Sequence, residues 1–494
     1  MDGYTLEEHG SAVREVAAKV LQFHLAQVPF RINHGSTNST RRREPETPEL
    51  CIAHLNHILD IDVSTQTAIV EPNVPLDALV SRCLPRGLMP LVVMEFPGIT
   101  VGGGLSGASG ESTGWREGLF DCSINHDLFD GARCTLGTLG VITLLKVRLT
   151  AAGDAVKLIH RHTKSVNETI ELLAKMCNDD KAAFDFIEAL QYNMEHGVII
   201  TGKHLASTAA EFKGLPRQRF DRATDPWFYM HAESTPEGFT EIVPTQSYLF
   251  RHDRGAFWSG EVFLKYYKLP NNRFVRWLIN PLTTARAIYR AMLATNTADG
   301  AVIQDLLLPV ETSEAFVDYV DKELNIWPLW ICPIRKKRTR EGIVGWPFYK
   351  TESSTATTTE PNATNPAHLN PKGDLTFNFG VWGPTDPTPA AVRKTNRNLE
   401  QKLRELRGMK VPYAANFYTE EEFWAQYDRP KYEQLRKKWH AEALPNMYDK
   451  VRRKKQDVDN DAADKEPEKL TFADKILRVW PIGGLYQTYC VVFR

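Results

Sequence analysis

Pro97-Gly98-Ile99-Thr100-Val101-Gly102-Gly103-Gly104-Leu105-Ser106-Gly107-Ala108-Ser109-Gly110-Glu111-Ser112-Thr113-Gly114 is the stretch on which the fold turns. Gly102, Gly104 and Gly107 satisfy G-x-G-x-x-G, a dinucleotide-site pattern. A doubly wound nucleotide fold needs a helix straight after the loop and an acidic residue at the end of the next strand. Glycine or serine recurs here through Gly114, so the stretch predicts an extended loop, and the doubly wound reading fails. What remains is a run of backbone N–H groups, through Val101, Gly103 and Glu111, with the Thr100, Ser106, Ser109 and Ser112 hydroxyls. Such a nest holds a pyrophosphate without any lysine. Taken alone, the same residues also describe a plain glycine-rich bend.

Two further segments extend the set. Gly137-Thr138-Leu139-Gly140-Val141-Ile142-Thr143 offers a turn through which Gly137, Gly140 and Ile142 let backbone approach a flat ring. His34-Gly35-Ser36-Thr37-Asn38-Ser39-Thr40 is a polar turn after a strand begun at Phe30. Around them the pattern alternates between helix and strand. Helices are predicted over 8–27, 76–84 and 165–177, strands at 67–71 and within 134–149, and a short apolar run at 88–96. Residues 335–373 are rich in Ser, Thr, Pro and Asn and read as an exposed disordered loop. Residues 451–469 form a charged linker, and 470–494 an apolar-aromatic tail.

With 494 residues a single core is not expected, so the chain should divide into two or three domains. The formal net charge of -1 excludes nucleic acid as the main partner, since phosphate binding needs a clear basic excess. The longest apolar stretch, Phe274 to Ala294, is broken by Arg276, Arg286 and Arg290 and predicts no spanning helix. Early charges at Asp2, Glu7, Glu8 and Arg14 argue against a secretory signal. The seven scattered cysteines suit a reduced compartment and give no zinc spacing, so no metal is expected. Composition thus points to an intracellular enzyme or binding protein, soluble or peripherally attached.

In order and spacing, the three loop segments resemble the FAD-binding domain of the vanillyl-alcohol oxidase/p-cresol methylhydroxylase (VAO/PCMH) superfamily. The resemblance implies that the first loop and the glycine segment hold the FAD pyrophosphate, with Gly137 to Ile142 near the cofactor. Gly35 stands where many relatives place a flavin-linking histidine, and His34 falls one place early, which implies non-covalent FAD. Later segments are similar to the Delta(24)-sterol reductase (Diminuto) family: Ser247 to Trp258, Ile326 to Pro333, Tyr413 to Tyr418, Glu421 to Asp428, Tyr432 to Trp439 and Pro445 to Lys450. That family implies reduction of the side-chain double bond of a sterol with FAD and NADPH, at the endoplasmic reticulum membrane; without the resemblance, the cytoplasm is expected. An unactivated alkene needs a proton on one carbon and a hydride on the other, hence a general acid in a dry pocket. His252, Arg254, Tyr413 and Tyr418 are the candidates for that acid. Taken alone, His252-Asp253-Arg254 also reads as a surface ion-pair cluster.

The expected architecture is α+β: a PCMH/VAO-type FAD domain over 1–152, an α/β substrate domain over 153–450, and a tail over 451–494. Against the family pattern the FAD domain lacks a strand pair near 122–128, which predicts weakened FAD binding. Relatives also carry an N-terminal anchor, whereas this chain begins almost at the FAD domain, and its apolar tail is a candidate for membrane contact. Two other functions stay open: an FAD-linked oxidase or dehydrogenase of an alcohol or lactone, and a catalytically impaired sterol-binding homologue.

Overall fold

Thr5 opens the first helix, Leu6–Leu25, through a capping box in which Thr5 and Glu8 satisfy each other's backbone N–H groups. The computed structural model describes residues 4–35, 47–120, 132–266, 268–295, 301–339, 342–344, 373–386 and 388–452. The expected strand-pair deletion, Ser36 to Ser39, most of the expected disordered loop and the apolar tail lie outside them.

After the helix, β1 (Arg31–Asn33) pairs in parallel with β2 (Glu49–Cys51). A four-stranded antiparallel sheet follows, built from β3 (Ile58–Asp62), β4 (Thr67–Val70), β5 (Leu88–Pro90) and β6 (Leu145–Ala151). Its order is β3-β4-β6-β5. The next strands are β7 (Ala155–Thr163), β8 (Phe186–Asn193), β9 (His196–Leu205), β10 (Thr240–Pro244), β11 (Ala301–Pro309) and β12 (Leu329–Arg335). A hairpin of β13 (Lys337–Thr339) and β14 (Gly342–Val344) precedes β15 (Leu375–Pro384) and β16 (Met409–Lys410). Eight of these form an antiparallel sheet in the order β10-β7-β9-β8-β12-β15-β11-β16. The chain is therefore α+β.

Side-chain alternation decides which residues this large sheet turns toward the small one. Ile187, Ala189, Ile199, Leu306, Leu308, Ile331, Phe377 and Phe379 face helices on one side. Phe186, Leu190, Val198, Ile200, Ile303, Leu307, Trp330 and Trp382 face the other way and share one core with Val70, Leu79, Met94 and Leu105 from the small-sheet half. By the same period, Glu188, Asp305 and Asn378 lie on that second face. The C-terminal helices Glu420–Ala425 and Arg429–Lys438 complete the molecule, with Phe423, Trp424 and Tyr432 packed on Leu136 and Leu139.

Two expectations need correction. Residues Val101–Gly107 form a helix, not an extended loop, because Thr100 caps it and its glycines let it sit hard against Pro72 and Met94. The doubly wound reading still fails, on the antiparallel pairing of β3 to β6. Within 134–149, where one or two strands are expected, one forms at the end, since Cys134, Leu136 and Gly137 take φ values of 60°, 58° and 70° that a strand cannot use. Residues 335, 337–339 and 342–344 lie in strands where a disordered loop is expected, and 340–341 and 345–372 lie outside the described residues.

Candidate active site

The two glycine segments are stitched together by backbone. Cys134 N–H donates to the Leu105 carbonyl and Leu136 N–H to that of Ser106, each at 3.0 Å. Gly102 N–H donates to the Pro72 carbonyl at 2.8 Å, which ties the Val101–Gly107 helix to the small-sheet half. A Cβ on Gly102 would lie 2.7 Å from the Pro72 ring, so this glycine answers to packing. A Cβ on Gly140 would meet nothing within 4 Å, so this one borders open space. The turn is held from the far end of the chain. Arg436 donates to the Thr138 carbonyl at 2.6 Å, and the Tyr432 hydroxyl to Thr138 Oγ1 at 2.8 Å.

Between these segments and the large sheet lies a cavity of about 570 Å³, a volume usual for a small-molecule site. Its wall includes Thr100, Gly102, Gly103, Ser106, Gly107, Ser109, Gly137, Gly140, Ile142 and His34. Across from that backbone-rich wall stand Phe96, Tyr289, Trp330 and Trp382, an aromatic floor in which Phe96 and Trp382 have ring centroids 5.9 Å apart. Of the residues predicted for the cofactor, Val101, Gly104, Glu111 and Ser112 turn away from the cavity. Val101 and Gly104 are packed into the core, and Glu111 and Ser112 belong to a buried polar network. Gly35 closes a turn in which its N–H meets Asn33 Oδ1. Ser36, Thr37, Asn38 and Ser39 lie outside the described residues.

The acids at this cavity are ones that sequence reasoning missed. Asp305 on β11 accepts from the Tyr413 hydroxyl at 2.7 Å and from Asn378 Nδ2 at 2.9 Å. Burial outweighs these two bonds and raises its pKa. Glu95 lines the same cavity, and burial, with Asp305 and Glu111 nearby, pushes its carboxyl up to about 8. Tyr289 and Tyr413 are driven well above the ordinary phenol value, by burial first and then by Asp305. At neutral pH the Glu95 carboxyl and the two phenols therefore hold their protons. The available signal was a lone carboxylate inside the apolar run Leu91-Val92-Val93-Met94-Glu95-Phe96.

Of the predicted acids only Tyr413 reaches the cavity. His252 is buried, not part of a surface cluster, because strand β8 brings Glu188 to its Nε2 at 3.0 Å. Burial pushes its imidazole down to about 4, so at neutral pH it is uncharged. Glu188 also accepts from Arg251 Nε at 2.6 Å and Trp330 Nε1 at 2.8 Å, and Arg251 reaches on to Glu111 at 2.6 Å. The network thus holds Trp330 in the cavity wall from behind. Arg254 instead binds Asn280 and the Asp221 carbonyl. Tyr418 lies in the C-terminal cluster beside Leu136 and Phe423. His160 and His231 both meet Glu241, at 2.9 Å each, in a hydrogen-bonded triad outside the cavity wall.

No family model matches the chain. Among curated proteins it is 25% identical over 432 residues to the Delta(24)-sterol reductase of Arabidopsis thaliana, covering 80% of this chain and 74% of that protein. It is 25% identical over 435 residues to the Delta(24)-sterol reductase of Homo sapiens, covering 82% and 78%. Together, seven curated Delta(24)-sterol reductases at 24–26% identity over 80–82% of the chain support membership of that family. A shorter match, 35% identical over 115 residues and 26% of the relative's length, is to an uncharacterized oxidoreductase of Rhodococcoides fascians. The segments that carried the Delta(24)-sterol reductase resemblance have structural duties here. Ser247 to Trp258 supplies the Arg251–His252 network, Ile326 to Pro333 contains most of β12, and Tyr432 to Lys450 braces the Gly137–Gly140 turn.

Proposed function

We propose that the chain is an FAD-dependent oxidoreductase that reduces the side-chain double bond of a sterol, with NADPH as the source of electrons and a PCMH/VAO-type arrangement of its FAD-binding half. One observation carries the reading: a single cavity joins bare backbone at Gly103, Gly107, Gly137 and Gly140 to a proton-holding carboxyl, Glu95, above aromatic rings. Family membership supplies the substrate class, and the open space beside Gly140 suits a flat ring lying against backbone. FAD would be held by Thr100, Gly103, Ser106, Gly107, Ser109, Gly137, Gly140 and Ile142, without a covalent bond, and in reduced form would supply hydride.

The rest of the chemistry belongs to the chain. An isolated alkene is not polarised by any neighbouring carbonyl, so proton delivery has to start the reaction. The Glu95 carboxyl, largely protonated at pH 7, gives its proton to the less substituted carbon. The more substituted carbon then takes the hydride. Asp305 and Tyr413, joined by their 2.7 Å hydrogen bond, line the same cavity, and Asp305 helps keep the proton on Glu95. Trp330, Trp382 and Phe96 exclude water and align the apolar side chain.

The test is a visible spectrum of the purified protein, then anaerobic addition of NADPH, then a sterol with a side-chain alkene. Protein-bound flavin, bleached by NADPH and reoxidised as the sterol gains two hydrogens, is expected. Bleaching by an alcohol or lactone with oxygen uptake would indicate the oxidase reading, and sterol binding without flavin would indicate an impaired homologue.

A further inference from the structure

Residues 262–295 combine two properties. They contain six Lys or Arg (265, 268, 273, 276, 286 and 290) and no Asp or Glu, in a chain whose net charge is -1. They also expose large apolar side chains: Phe274 is 66% accessible, Trp277 56% and Leu278 60%, with Val262 and Leu269 exposed nearby. The helix Arg273–Ile279 places its most apolar face outward. Val275, Arg276 and Ile279 are buried, while Phe274, Trp277 and Leu278, at i, i+3 and i+4, share the solvent side. The Phe274 and Trp277 ring centroids are 6.0 Å apart, so the rings form one patch. Lys265, Lys268, Arg273, Arg286 and Arg290 are all exposed within the same segment.

We infer that this face is a membrane-docking surface for anionic phospholipid, with Phe274, Trp277 and Leu278 inserted at headgroup depth and the cations paired with lipid phosphates and carboxylates. Trp and Phe amid Lys and Arg match the chemistry of a bilayer interface, and the charge carried by 262–295 itself is all of the complementary sign, with Asp225 the acidic neighbour of Arg276. No described helix is long and apolar enough to cross a membrane, so the contact is of the surface type. Position gives it a purpose. The helix Ala285–Thr295 exposes Arg286 and Arg290 and also puts Tyr289 in the cavity wall, so the segment that carries the docking cations also borders the cavity. An apolar substrate could then pass from bilayer to site without crossing water. That purpose rests on the sterol reading; the docking itself does not.

The experiment is co-sedimentation of the full-length protein with phosphatidylcholine vesicles, with and without phosphatidylserine. Wild-type protein should partition onto phosphatidylserine vesicles, less so as salt rises. The triple substitution Phe274→Glu, Trp277→Glu and Leu278→Glu should lower the partition by about tenfold or more. Lys265→Glu with Arg273→Glu, at exposed positions that leave the core intact, should remove the phosphatidylserine preference alone. Hydrogen exchange should slow on vesicle addition within 262–295. Unchanged partition of both variants, or protection confined elsewhere, would overturn the inference. So would a dimer that the triple substitution dissociates in a chain that ignores vesicles. Loss of sterol turnover with vesicle binding intact would count against the sterol reading instead.

Discussion

Glu95 shows how one side chain acquires a role from partners far along the chain. In sequence it is a single carboxylate in an apolar run; the fold sets it beside Asp305, Tyr289 and Tyr413 in one cavity wall. Its raised pKa has a definite linkage sign. The folded state holds the proton more tightly than the unfolded chain, so this contribution to stability is complete below about 4.5 and is lost as pH rises through about 8. Glu95→Gln should therefore slow sterol reduction by about 10²- to 10⁴-fold, the usual worth of a general acid. It should also remove the decline of wild-type rate through pH 8, and its melting temperature relative to wild type should be higher at pH 9 than at pH 5. Rate profiles and thermal melts at several pH values check both; a variant that keeps the limb near pH 8 would move the acid to another group. His252 is the converse case. A histidine between an arginine and an aspartate looks solvated in sequence, and only the register of β8, which delivers Glu188, shows it to be buried and neutral.

At the scale of elements, periodicity located helices well. The expected 8–27, 76–84 and 165–177 correspond to Leu6–Leu25, Leu76–Cys83 and Val166–Asn178, each with an apolar face repeating at helical spacing. The glycine segment was harder, because glycine carries no side chain to show a period, and tight packing rather than propensity makes Val101–Gly107 helical. The composition of 97–114 shows many glycines; only the structure separates Gly104, packed into the core against Met94, from Gly102, Gly103 and Gly107, which border the cavity. Gly102→Ala should cost about 1–3 kcal/mol, since the Pro72 ring and backbone cannot retreat easily. Gly140→Ala should leave the denaturation midpoint within the range of a surface change, about ±0.5 kcal/mol, yet weaken FAD binding. Urea titration and flavin equilibrium dialysis on the two variants separate the effects. Equal loss of stability in both would remove the assignment of Gly140 to the cofactor.

The whole molecule ties its glycine turn to a segment at the opposite end of the chain, an arrangement no local pattern could announce. Leu136 and Leu139 pack on Phe423, Trp424 and Tyr432; Phe30, Leu50 and Leu55 pack on Ala441 and Leu444. Between them, Ser112 accepts from Ile187 N–H on β8 at 2.9 Å, and Gly114 lies where a Cβ would strike Ile334 on β12. One hydrophobic core runs from Ala68 and Val147 in the small sheet to Trp330 and Trp382 in the large one. A break in composition near residue 152 thus marks a change of sheet, while the apolar contacts continue across it. Residues 1–152 expressed alone would leave Leu50, Leu136 and Leu139 without their C-terminal cover and the faces of Met94 and Leu105 without the large sheet. That fragment should lack a cooperative thermal transition and bind hydrophobic dye, whereas the full chain should melt in a single calorimetric step. A fragment that melts cooperatively would show that the shared core is a docking interface between independent units. The cavity, whose walls come from both, would then assemble only when they meet.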